Sequence, residues 1–203
     1  MRNSLYIFPP MFVWMHGVKD HQQIKEKYLP LIEDDVKKNE HEYRKNSFWN
    51  CDVTSSYFSK ESMTFLEEDF WNNIVKIPVN EMFEKFFTKM GFAIPPATKL
   101  SNCWYNHYEK GQFQEPHSHR VINSNQKPSM LSGIYFIDNP SNNLSFVNNY
   151  TPLYSGSRDD FNHHRPKIRE GDVVLFPSEL LHYVTPCDTS RTTVSFNIYA
   201  EYD

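Results

Sequence analysis

Gly171-Asp-Val-Val-Leu-Phe-Pro-Ser-Glu-Leu-Leu-His182, followed nine residues later by Arg191-Thr-Thr-Val-Ser-Phe-Asn197, decides how the chain reads. The first stretch is a glycine turn, a short β-branched and aromatic run, a proline turn and a histidine. That pattern predicts a buried strand with a chemically useful side chain just past its end. The second stretch predicts a strand by alternation. Arg191, Thr193, Ser195 and Asn197 share one face, and Thr192, Val194, Phe196 and Ile198 share the other. A wholly polar face suits either the lining of a polar pocket or the wet side of an edge strand. In a pocket, the planar fork of Arg191 can take a carboxylate with two parallel hydrogen bonds.

Working outward, the second half reads as strands: Leu100–Tyr108, Met130–Ile137, Leu144–Val147, Val173–Phe176 and Arg191–Tyr202. Gly, Pro, Asn and Ser clusters separate them, and no helical pattern alternates with them, which disfavours a parallel α/β sheet. The first half reads as helical. From Asp20, residues Ile24, Tyr28, Leu31, Ile32 and Val36 form one stripe, which Pro30 is expected to kink or split. Thr64 and Glu67 can form a capping box for a helix running toward Ile77 and ended by Pro78. Asn80 can cap a further helix bearing Phe83, Phe86, Phe87 and Met90, stopped by Gly91. Residues 41–60 have no clear period. The layout is α+β and mainly β, a barrel or sandwich buttressed by helices. We expect a single domain over 1–203, with a mostly helical support region at 1–98 and the β core at 99–203.

The chain has 203 residues, which suits one domain with a real core. Its 16% aromatic content argues against disorder, and a net charge of −4 spread over both halves gives no basic face for nucleic acid. Cys51, Cys103 and Cys187 form no disulfide framework or CxxC, so a reducing cytoplasm is the simplest compartment. Leu5–Pro10 is apolar but too brief for a secretory segment, and no apolar run reaches membrane-spanning length.

His117-Ser118-His119 follows a glycine-bearing turn. On a strand, residues i and i+2 face the same way, so both imidazoles can enter one cavity, and His182 can come from a facing strand end. Imidazole nitrogens ligate Fe, Zn, Cu and Ni. Two histidines two apart are more often surface or core residues, so the case rests on His182 and Arg191 as company.

The set Gly111-Gln-Phe-Gln-Glu-Pro-His117-Ser-His119, Leu131-Ser-Gly-Ile-Tyr135-Phe-Ile-Asp138, Gly171 to His182 and Arg191 to Asn197 resembles the Fe(II)/2-oxoglutarate-dependent dioxygenases. It looks most like a subfamily of oxygenases of tailed phages and bacteria whose substrates are mostly unassigned. The resemblance covers about residues 100–199. It implies a double-stranded β-helix (jelly-roll, cupin-like) core, with Fe(II) and 2-oxoglutarate as cofactors and O2 as substrate. The expected outcome is hydroxylation of a small-molecule or peptide substrate, with release of succinate and CO2. His117 would be the first metal ligand and His182 the distal one. Arg191 would bind the far carboxylate of 2-oxoglutarate, with Thr193 as its hydroxyl partner and Tyr135 as a further contact. Where the wider superfamily has Asp or Glu, this chain has His119. Either His119 is the third ligand, or a carboxylate such as Glu115 completes the site, or the site has lost iron chemistry and binds another metal.

A cupin is the nearest rival, because Gly111-x5-His117-x-His119 matches half of a cupin metal motif; it leaves Arg191 and Thr193 without a task. A three-histidine zinc hydrolase and a metal-free phage binding module are further alternatives. The stretch Asn148–Lys167 reads as a long polar loop, in which His163 and His164 can contact substrate or stand solvated. Trp49 and Tyr57 can close the pocket or pack. Of Tyr105, Asn106, His107 and Tyr108, one or two should line it.

Overall fold

The computed structural model describes residues 11–43, 51–58, 70–91, 97–119, 129–147 and 163–201. The Thr64–Glu67 capping box, the Leu5–Pro10 run, Trp49 and most of the long polar loop lie outside these residues. Among the described residues, ten strands form two antiparallel sheets. They are β1 (Trp14–Gly17), β2 (Thr54–Ser55), β3 (Ala97–Tyr108), β4 (Gln114–His117) and β5 (Leu131–Asp138), then β6 (Leu144–Val147), β7 (His163–His164), β8 (Asp172–Pro177), β9 (His182–Val184) and β10 (Arg191–Glu201). The major sheet has the order β1-β8-β5-β10-β3-β2 and the minor sheet β4-β9-β6-β7. From β3 onward the chain passes back and forth between the sheets.

Period-2 alternation assigns the two faces of the major sheet. One face packs Cys103, Tyr105, Tyr135, Val173, Leu175, Val194, Phe196 and Ile198 under the helices. The other packs Tyr108, Ile134, Phe136, Val174 and Phe176 against Leu144, Phe146 and Val184 of the minor sheet. The middle of the sheet is buried on both sides, which explains why β5 and β8 read as nearly continuous apolar runs.

Helix α1 (His21–Tyr43) runs unbroken through Pro30. Pro30 stands on the exposed side, so the carbonyl it leaves without a donor faces water, while Tyr28, Ile32 and Val36 bury the opposite stripe. Leu31, expected on that stripe, is 47% exposed. A second helical run is likewise continuous where a break at Pro78 was expected. It comprises a π turn Trp71–Val75, α2 (Lys76–Met82), a second π turn Phe83–Phe87, and α3 (Thr88–Met90). The first π turn widens the helix just before the proline, where an α-helical ladder would have demanded its missing N–H. Asn80 therefore sits mid-helix and caps nothing. Gly91 does end the run, at φ 71°.

The first half also contributes strands that periodicity did not reveal. β1 adds to the edge of the major sheet beside β8, and β2 pairs with β3 on the other edge. Both are short and interrupt polar or mixed sequence. A polar cluster docks α1 onto the sheet. His21 Nδ1 lies 2.6 Å from the Tyr135 hydroxyl, and Lys25 Nζ donates to Asp138 and Glu170 at 2.7 and 2.9 Å. Burial alone would raise the Glu170 carboxyl, but donation from Lys25, His21 and the Asn139 backbone brings it down to about 2.

Gly133 is required by packing. A Cβ there would sit 2.2 Å from Phe196 Cζ and 2.8 Å from Leu175 Cδ2. We expect Gly133→Ala to lower unfolding free energy by about 1–3 kcal/mol through overpacking, read as a reduced urea midpoint with an unchanged m-value.

Candidate metal and anion site

β4 and β9 pair antiparallel with a register shift between Gln114 and His117, which leaves His117 opposite His182. His117 is the last residue of β4 and His119 lies two residues on, where its backbone N–H donates to the Ser178 carbonyl at 2.9 Å. The turn after β4 is thereby tied to the turn before β9. One nitrogen from each of His117, His119 and His182 lies within 4.8 Å of the others. Among the described residues no carboxylate joins this group. Glu115 contributes its backbone instead: its carbonyl accepts from His117 Nδ1 at 2.8 Å.

The other two rings are held in the same way. His182 Nδ1 donates to the Leu180 carbonyl at 3.0 Å, and His119 Nδ1 to Asn197 Oδ1 at 2.9 Å. With each Nδ1 carrying the proton, each Nε2 carries the lone pair. Burial holds all three imidazoles neutral. It lowers His117, takes His119 down to about 3 and His182 well below its ordinary value; repulsion from His117 adds to the effect on both, and from His119 to that on His182. Three neutral imidazoles with fixed tautomers are a donor set suited to Fe, Zn, Cu or Ni.

Arg191 opens β10, opposite Tyr108. It is 1% exposed. Its guanidinium carbon lies 4.9 Å from the Tyr108 ring centre and 5.6 Å from that of Phe136. Neither Nε nor Nη1 has a hydrogen-bond partner among the described residues. Burial pulls its proton affinity down; the groups that raise it again are Tyr108 and Cys187, not a carboxylate. A cation left so in a protein interior is costly unless an anion reaches it. Thr193, Ser195 and Asn197 continue the same face and are all buried, so the polar side of β10 lines the interior and is no wet edge.

Tyr135 is a correction. It stands on the helix face of β5, its hydroxyl against His21, and cannot reach the Arg191 side of the sheet. The neighbouring Phe136 occupies that side. Of Tyr105, Asn106, His107 and Tyr108, Asn106 and Tyr108 face the three-histidine group's side of the sheet. Asn106 Nδ2 donates to Ser195 at 3.1 Å and Tyr108 to Gln114 at 2.8 Å. Tyr105 faces α1, donating to Asp35 at 2.7 Å, and His107 faces Thr192.

His163 and His164 form the exposed edge strand β7 of the minor sheet, away from the three-histidine group. His164 stands in register with Phe146, and Phe146 with His182, so His164 lies on the row that carries two of the three histidines, two strands off. Sequence reasoning missed Trp104, whose ring is 5.3 Å from His119 and 5.1 Å from Tyr57. It also missed Phe176, 4.8 Å from His182. Alternation along β3 and β8 could have found both once their inward faces were assigned.

Residues 102–197 match the family model described as "Putative 2OG-Fe(II) oxygenase". A curated relative, the PKHD-type hydroxylase YbiX of Shigella boydii, is 28% identical over 113 residues, 52% of this chain. The match spans only 45% of that relative's length. Among solved structures, the α-ketoglutarate-dependent carbocyclase SnoK of nogalamycin biosynthesis aligns with a TM-score of 0.62 at 11% identity, over 92% of this chain and 78% of that one. HygX of Streptomyces hygroscopicus, with nickel and 2-oxoglutarate bound, aligns at 0.57 and 10% identity, over 94% of this chain and 83% of that one. At such identities these structures establish similarity of fold. Among the described residues no helix is long and apolar enough to cross a membrane.

The depressed histidines fix how metal-free protein responds to acid. A histidine that is neutral when buried gains its proton on unfolding, so the unfolded state binds more protons below about pH 6.5, and stability falls as pH falls. We expect the urea midpoint of metal-free protein to drop from pH 6.5 to 4.5. In His119→Gln the slope should be shallower by about one proton.

Proposed function

We propose that this chain, whose residues 102–197 match the 2OG-Fe(II) oxygenase family model, is itself an oxygenase of that type acting on a small-molecule or peptide substrate. The observation that carries the reading is Arg191: a buried cation whose Nε and Nη1 have no hydrogen-bond partner among the described residues. It shares an interior with three neutral imidazoles whose Nδ1 protons are all committed to carbonyl oxygens. A metal dication and a dicarboxylate would answer both features at once. His117, His119 and His182 would hold Fe(II), and Arg191 would pair with the far carboxylate of 2-oxoglutarate, Thr193 lying beside it. The two sheets would then be the two halves of a double-stranded β-helix, and 1–98 and 99–203 the support and core of one domain.

With Fe(II), 2-oxoglutarate and O2 bound, such a centre oxidises a C–H bond and releases succinate and CO2. The chain's own part is positional. Arg191 fixes one end of the dicarboxylate, and the Tyr108 and Phe136 rings hold the guanidinium plane and keep water from it. Tyr108 is itself held by Gln114. Trp104, Phe146 and Phe176 make the walls near the imidazoles apolar, so a charge pair formed there is weakly screened. A cupin reading would use the histidines but would leave Arg191 charged and uncompensated.

Anaerobic addition of Fe(II) and then 2-oxoglutarate to metal-free protein should produce the weak visible charge-transfer band of a chelated 2-oxo acid. Arg191→Gln should require about 30-fold more 2-oxoglutarate, the cost of removing one partner of a buried charge pair being about 2 kcal/mol or more. Fe(II) binding with no band would favour the cupin reading. No metal binding at all would remove both.

A further inference from the structure

A histidine ligand has two nitrogens and a ring plane, so it must be held in one tautomer and one orientation. For His117 and His182 the backbone carbonyl two residues earlier does this. His119 is held differently. Its Nδ1 reaches across to Asn197 Oδ1 at 2.9 Å, a side chain 78 residues away on β10. The same oxygen accepts from the Ser132 hydroxyl on β5 at 2.6 Å. The Ser132 and Ser178 hydroxyls are 2.8 Å apart, and the Ser178 carbonyl accepts the His119 backbone N–H at 2.9 Å. The chain of bonds therefore closes on itself, beginning and ending at His119. Its three other members, Asn197, Ser132 and Ser178, are 5%, 0% and 1% exposed.

The backbone is shaped for this contact. The β10–β3 ladder slips between Asn197 and Ile198, leaving Ser101 of β3 unpaired at that point. A bulge of that kind commonly re-aims a side chain beside a functional site. Asn197 is also the last residue of the polar face that begins at Arg191, so one strand addresses both ends of the site.

We propose that Asn197 is the positioning residue that lets a histidine serve at 119, where the wider superfamily has a carboxylate. The inference rests on the three-histidine reading above. Its content is that the closed ring of hydrogen bonds acts on the metal through His119 and not through general stability. A carboxylate at 119 has no Nδ1–H to direct and would make the device idle.

The test is a double-mutant cycle read by Co(II) affinity, measured on the full chain by competition with a chelating dye. Asn197→Ala should weaken Co(II) binding by about 10- to 100-fold, the usual effect of removing such a partner. Asn197→Asp keeps an oxygen acceptor and should bind within about 3-fold of the parent, or tighter. In His119→Asp, adding Asn197→Ala should cost less than about 3-fold. Equal losses in both backgrounds, or no loss in the parent, would overturn the proposal. If Asn197→Ala does not fold, Ser132→Ala replaces it in the cycle. It should weaken Co(II) in the parent and not in His119→Asp, and the opposite pattern counts against the proposal. Failure of the parent chain to bind Co(II) would instead remove the metal site itself.

Discussion

A guanidinium lies between two sheets with aromatic rings beside it and, among the described residues, no acidic side chain opposite. Most of the interior is arranged around that constraint. Arg191 must be carried inward, so the face of β10 that follows it is polar and buried, and every polar group on it needs a partner. Asn106 serves Ser195, and Asn197 serves His119 and Ser132. Tyr108 cannot be a bare apolar wall, because its hydroxyl is buried too; Gln114 on the facing sheet accepts it. The site is thus the polar seam of an otherwise apolar sandwich.

The helices make that seam affordable. They cover the opposite face of the same strands with Tyr28, Ile32, Val36, Ile74, Val79 and Met82, so from Thr193 on the inward polar residues of β10 alternate with Val194, Phe196 and Ile198 on the outward face. Gly133 lets Phe196 and Leu175 close over β5, bringing the layer to contact density. The Tyr135–His21 bond and the Lys25–Glu170 pair then fix α1 to the sheet at the end where Arg191 enters.

Where the sequence spoke clearly, it did so through period 2. The Arg191 to Asn197 alternation placed the polar face correctly, and His117 with His182 could be paired as strand-end residues because both follow recognisable turns. Tyr135 shows the limit. β5 is buried on both faces, and a lone interior Ser132 did not say which face meets the site, so sequence alone could not choose between Tyr135 and Phe136. Pro30 and Pro78 show another. Proline predicts a break only if its missing donor and its ring find no accommodation. Here a solvent-facing position supplies one and a π turn the other. β1, β2, β7 and β9 are two to four residues long and owe their strand geometry to neighbours remote in sequence. The contact between His119 and Asn197 is likewise a product of the fold, since nothing near either residue announces the other.

That last distance bears on how the molecule assembles. The ring through His119, Ser178, Ser132 and Asn197 joins four parts of the chain, and its histidine and asparagine are 78 residues apart. No contiguous fragment can contain a working part of the site without β5, β8 and β10 already in place. Loop-closure entropy is spent in full before these contacts return anything. The site therefore cannot be complete before β10 has joined the sandwich. A truncation that leaves the three histidines intact but ends before β10 would yield a chain with the right residues and no site.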